Sequence, residues 1–156
     1  MMRLALFICT FGYVGYFPVA PGTAGSLAGL AVYGLLRAAG ATPLVDLVVI
    51  AALFAAGTWS GTLAERHFGG TDPGAGVIDE VVGMLVTLWA LPVTWSLVII
   101  GFLVFRVLDV VKPWPAGRLE TLHGGLGMMS DDVMAAVYAN LCLRGALLLA
   151  PALGAS

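Results

Sequence analysis

Arg106, Asp109 and Lys112 stand three residues apart in VFRVLDVVKPWP (104–115), where a long apolar run ends. On a helix such spacing fans the three over about 120° of one face. An arginine and a lysine gathered there can hold an anion, with Asp109 orienting Arg106 or serving as a base. The same spacing also suits an intrahelical Arg-Asp pair with a lysine reaching for an interface. Two acidic pairs stand at the other ends of apolar runs: Asp79-Glu80 and Asp131-Asp132. Acids in a first helical turn complement the helix dipole, and Ser130 or Asp131 would serve as an N-cap. Together the pairs offer four carboxylates, Asp79, Glu80, Asp131 and Asp132, with no Cys or His at ligand spacing. Hard oxygen donors of this kind suit Mg²⁺, which bridges to a substrate phosphate.

Two glycine-rich stretches could bring backbone close to a ligand. HGGLG (123–127) offers His123, Gly124 and Gly125, and glycine leaves no side chain in the way. PGTAGS (21–26) precedes a helix, where its N–H groups and the Thr23 and Ser26 hydroxyls would meet a phosphate. Tight turns account for either stretch equally well. Asp72-Pro73 reads as a turn, and Glu65, Arg66 and His67 as a wet helix end.

These residues are carried by a chain of 156 residues, 60% hydrophobic and 10% charged, with a net charge of -2. Soluble domains are about a quarter charged, so the membrane class is the first inference and a single domain over 1–156 the second. The chain has no basic run interleaved with aromatics, which argues against a nucleic-acid partner. Cys9 and Cys142 lie in apolar sequence without metal spacing and read as reduced core thiols. Arg3 and LALFIC resemble the start of a signal peptide, but Gly12 and Gly15 interrupt the run and cleavage is not expected.

Twelve of the sixteen charged residues fall within 65–80 and 106–132. The apolar segments between and around them, 24–39, 44–66, 77–91, 93–111 and 131–150, read as membrane helices, although a full span needs about 20 residues and the first and third are short. Residues 4–23 read as a re-entrant or interfacial segment. The predicted fold is therefore all-α: an integral membrane bundle of four to five helices. Simple up-down alternation brings every dense polar segment to one face. That face holds Arg66, Arg106, Lys112 and Arg118, against Arg37 on the other, which makes it cytoplasmic by the positive-inside rule.

Four stretches, PVAPGTAGS (18–26), DEVVG (79–83), FRVLDVVKPWP (105–115) and HGGLGMMSDD (123–132), resemble in order the motifs of the phosphatidylglycerophosphatase A family. The resemblance implies a multi-pass enzyme of a bacterial-type inner membrane. Such an enzyme removes the terminal phosphate of phosphatidylglycerophosphate with Mg²⁺. It also implies that Asp79, Glu80, Asp131 and Asp132 are the acidic positions and Arg106, Asp109 and Lys112 the helix-end positions. Water is the expected nucleophile, since no phosphatase nucleophile motif is present. The alternatives are a small transporter, which would carry polar residues through the membrane and not at one end, and a non-catalytic anionic-lipid-binding subunit, which would need no metal. A phosphatidyltransferase would show a compact Asp/Gly motif on one helix, and none is seen.

Overall fold

A computed structural model describes residues 1–68 and 74–155, with the side chain of Phe68 excepted. The Asp72-Pro73 turn lies outside the described residues. Among those residues every regular element is helical. The main helices are α1 (Met2–Cys9), α2 (Pro21–Ala38), α3 (Pro43–Phe68), α4 (Ile78–Leu88), α5 (Trp95–Val111), α6 (Ala116–Leu119) and α7 (Gly125–Leu149), with short 3₁₀ turns at Val14–Tyr16 and Pro151–Gly154.

The five apolar segments all appear, as α2, α3, α4, α5 and α7. Two of them, α3 and α7, are long and apolar enough to cross a membrane. At 11 residues α4 is only about 16 Å long. It is the centre of the fold, packed against α2, α3, α5 and α7. Nine of its residues are buried, and only Glu80 and Val86 are partly exposed. Its last carbonyls are satisfied from α7. The Asn140 amide donates to the carbonyls of Val86, Thr87 and Trp89, and Arg144 donates to Asn140 Oδ1 and to Trp89. Those bonds cap a helix end that would otherwise be left with bare acceptors in apolar surroundings. The far end of the bundle thus carries Arg144 as well as Arg37. Arg37 is ion-paired with Asp46 across the α2–α3 connection. The charge asymmetry between the two ends is smaller than sequence alternation alone suggests.

The outer faces are strongly apolar. Along α5, Trp95, Ile99, Leu103 and Val107 are all exposed at four-residue intervals. Continuous apolar surface of this kind marks contact with lipid or a partner. The N-terminal segment does not form a span: α1 has 8 residues, and left-handed Phe11, Gly12 and Tyr13 turn the chain into the 3₁₀ turn. Cys9 is buried, as expected, whereas Cys142 is exposed on α7 and is not a core thiol.

Glycines set how closely the helices approach. Gly22, Gly25 and Gly29 form a stripe on α2 against α4, the small-residue packing that suits apolar surroundings. A Cβ at Gly25 would lie 2.7 Å from Val77 Cβ, and one at Gly29 2.8 Å from Met84 Cβ. Gly34, farther along the same helix, faces open space. Gly25→Ala is therefore expected to destabilise the protein by about 1–3 kcal/mol through overpacking. Gly34→Ala should be neutral or stabilising, because alanine is the better helix former. Thermal unfolding in detergent separates the two, and equal melting temperatures would count against the packing argument.

Candidate active site

Antiparallel packing brings the N-termini of α2, α4 and α7 and the C-termini of α3 and α5 to one end of the bundle. Asp79 and Glu80 lie in the first turn of α4, as the sequence suggests. Asp131-Asp132 do not open a helix: α7 begins six residues earlier, at Gly125. Gly124, with a φ of 73°, takes the left-handed turn, and Thr62 Oγ1 of α3 accepts from the Gly125 amide at 2.9 Å. The acidic pair therefore sits in the second turn of α7, deeper in the protein.

That depth separates the two acids. Asp132 is 3% exposed and points to α4. Oxygens of Asp79, Glu80 and Asp132 all lie within 4.8 Å of one another. Asp131 instead accepts from Lys112 Nζ at 2.6 Å, and Lys112 reaches Glu120 at 3.1 Å. Burial alone would lower the Lys112 pKa, but the hydrogen bonds and charges of Asp131 and Glu120 outweigh it and hold the ammonium above the ordinary lysine range. Lys112 thus ties α5 and α6 to α7.

Arg106 closes the cluster on the α5 side. It donates to Asp109 at 2.7 Å and lies 3.7 Å from Glu80. Asp109 also interacts with Asp132. Gly22, in the first turn of α2, forms the remaining wall: a Cβ there would overlap the Glu80 carboxylate and stand 3.0 Å from the Arg106 guanidinium. Asp79, Glu80, Asp109, Asp132 and Arg106 are thus brought together from three helices, with α2 against them.

Other expected contributors lie elsewhere. Gly124 and Gly125 bring α7 against α3, where a Cβ on Gly125 would overlap the Thr58 carbonyl, so their bareness serves helix packing. His123 is exposed at the turn before α7. PGTAGS is already helical, because Pro21 occupies the first turn of α2. Its Thr23 and Ala24 amides donate to the Ala20 carbonyl, and the fully buried Ser26 hydroxyl donates to Gly22 O. Thr23 remains half-buried at the edge of the site.

Two carboxylate oxygens in the cluster, Glu80 Oε2 and Asp132 Oδ2, are buried without a hydrogen-bond partner. Unpaired buried carboxylate oxygens are costly, and three carboxylates so close repel one another. A hard divalent cation fits both facts, and oxygen-only donors suit Mg²⁺.

The sequence matches the phosphatidylglycerophosphatase A family over residues 7–147. The chain belongs to that family. It is 39% identical over 125 residues to phosphatidylglycerophosphatase A of Escherichia coli (strain K12), covering 79% of this chain and 72% of that protein. It is 36% identical over 127 residues to phosphatidylglycerophosphatase A of Haemophilus influenzae, covering 80% and 77%. It is also 38% identical over 136 residues to a putative phosphatidylinositol-3-phosphatase of Bacteroides thetaiotaomicron, covering 83% and 84%. No solved structure matches. Family membership makes the chain a lipid phosphatase and points to the inner membrane.

Within this chain, sequence reading missed Gly22 as a wall of the site and Glu120 as a partner of Lys112. The i, i+3, i+7 glycine stripe was the available signal for Gly22. For Glu120, nothing in local sequence distinguishes it from an ordinary surface acid.

Proposed function

We propose that this chain hydrolyses the terminal phosphomonoester of phosphatidylglycerophosphate to phosphatidylglycerol and phosphate, with Mg²⁺, as a multi-pass protein acting at the cytoplasmic leaflet. The observation that carries the reading is the Asp79-Glu80-Asp132 cluster, with its two unpartnered buried oxygens, beside Arg106. The excess of Arg66, Arg106, Lys112 and Arg118 at that end supports the cytoplasmic orientation.

Asp79, Glu80 and Asp132 would hold the Mg²⁺. When bound, such an ion stabilises charge on phosphoryl oxygens and lowers the pKa of a water. Arg106 offers guanidinium donors to the phosphate, and Asp109 fixes its orientation. A water oxygen bonds to phosphorus as the ester P–O bond breaks, and the proton that the water gives up passes through a carboxylate to the departing alkoxide. Asp109, in contact with both Arg106 and the cluster, is the nearest carboxylate outside the metal set that can carry that proton. Lys112 and Asp131, bound to each other, position the ends of α5 and α7 and do not meet substrate.

The name of the Bacteroides relative raises a second reading, a phosphate on an inositol headgroup. The test measures phosphate release in detergent micelles from phosphatidylglycerophosphate and phosphatidylinositol 3-phosphate side by side, with Mg²⁺, with EDTA, and with Asp79→Asn. Release from the glycerol lipid that needs both Mg²⁺ and Asp79 is expected. Preference for the inositol lipid supports the second reading. No release by folded protein with any divalent metal rejects both.

A further inference from the structure

Thr23, Leu27, Leu30 and Gly34 follow one another along α2 at intervals of four, three and four residues, so they share one helix face. On the facing helix, Leu103, Phe102, Ile99 and Val98 descend from Arg106. The two helices barely touch. Between them lie two adjoining cavities of about 320 and 360 Å³ that share Leu30, Trp95 and Val98. The first is lined entirely by apolar side chains. The groove is open to the outside, with Leu27, Ile99 and Leu103 each more than half exposed.

We propose that this α2–α5 groove binds one acyl chain of the lipid whose phosphomonoester occupies the carboxylate cluster. The inference rests on the lipid-phosphatase reading of that site. Continuity with the site selects the occupant. The upper end of the groove lies one turn or so below Thr23 and Arg106, and Gly22 beside them touches Glu80. From Thr23 to Gly34 the face runs about 16 Å, room for much of a lipid tail. A lipid tail enters sideways from the bilayer, and the splay of α2 from α5 provides that opening.

Gly34 supplies the test, because it lines the groove and a Cβ there meets nothing within 4 Å, so a larger side chain grows into open space. Gly34→Phe is expected to raise KM for a long-chain phosphatidylglycerophosphate about tenfold, the scale of a blocked apolar pocket. It should leave hydrolysis of the dihexanoyl analogue unchanged. Leu30→Trp serves as a second variant if Gly34→Phe does not fold. Equal effects on both chain lengths, or none on either, overturn the groove and leave the phosphatase reading standing. A binding arm is independent of turnover. A non-hydrolysable phosphonate analogue of phosphatidic acid carrying a diazirine in its acyl chain is photolysed with the protein in Mg²⁺-containing micelles. Adducts are expected on Leu30, Val98 and Phe102, suppressed by excess phosphatidic acid but not by phosphatidylcholine. Labelling spread over α3 and α7, and competed equally by both lipids, means annular bilayer lipid only and overturns the proposal. Groove labelling by a protein that hydrolyses no phosphomonoester sinks the phosphatase reading instead.

Discussion

Asp132→Asn is expected to cut Mg²⁺-dependent phosphate release by more than about a hundredfold, since loss of even an outer-shell partner of a metal costs 10–100-fold. In EDTA the same substitution should make the protein more stable. Asp132 is buried, one of its oxygens has no partner, and Glu80, Asp109 and Asp131 all act on it. Asparagine keeps the shape, removes a charge from this crowd and adds an N–H donor. Relieving repulsion among crowded, unpaired buried carboxylates favours the folded state, and each kcal/mol gained is about 2–4 °C in melting temperature at this chain length. Mg²⁺ should raise the melting temperature of the native protein, because ligand binds the folded state, and should do little for Asp132→Asn. The decisive measurement is a pair of thermal melts, with Mg²⁺ and with EDTA, for both proteins. A variant that keeps its activity and its Mg²⁺ response would remove Asp132 from the metal set.

Arg106→Ala is expected to lower kcat by about 10²–10³, the usual effect of removing a donor aimed at transition-state charge. Two causes combine. The phosphate loses its nearest cation, since Lys112 is engaged by Asp131 and Glu120. Asp109 loses its 2.7 Å partner and becomes one more unpaired carboxylate beside Glu80 and Asp132. Arg106→Lys restores the charge without the planar fork and should recover activity only in part. Asp109→Asn on the Arg106→Ala background separates the causes: it relieves the stranded carboxylate but cannot return the cation. Steady-state kinetics of the four proteins would settle the matter. An Arg106→Ala enzyme with native kcat and a raised KM alone would make Arg106 a ground-state binder.

Much of this arrangement was legible in the chain. Apolar runs broken by proline and charge gave α3 and α5 nearly to the residue. Alternation of short-looped helices brought Asp79, Glu80, Arg106, Asp109 and Asp132 to one end, because antiparallel neighbours leave few other arrangements. What failed was decided by contacts distant in sequence. HGGLG looked like a ligand loop because its glycines are bare, yet the surface approaching Gly125 is α3, 63 residues upstream at Thr62. That contact starts α7 early and carries Asp131 away to Lys112. Ser26 looked like a phosphate ligand, but its helix had already begun and the backbone carbonyl of Gly22 took its hydroxyl. Asn140 and Arg144 gave no sign of their role, because the carbonyls they cap belong to another helix.

The enclosure of α4 has a practical consequence. Since the helix bearing Asp79 and Glu80 presents almost nothing outward, its sequence is answerable to its neighbours' shapes and not to the solvent around the protein. The outward residues of α5 outside the groove, such as Val107, Val110 and Val111, belong to a different set altogether. Exterior and interior can therefore be rewritten separately. A water-soluble version of this protein could be sought by recolouring the outer faces of α3 and α7 with polar residues while leaving every side chain of α4 and of the α2–α5 groove untouched.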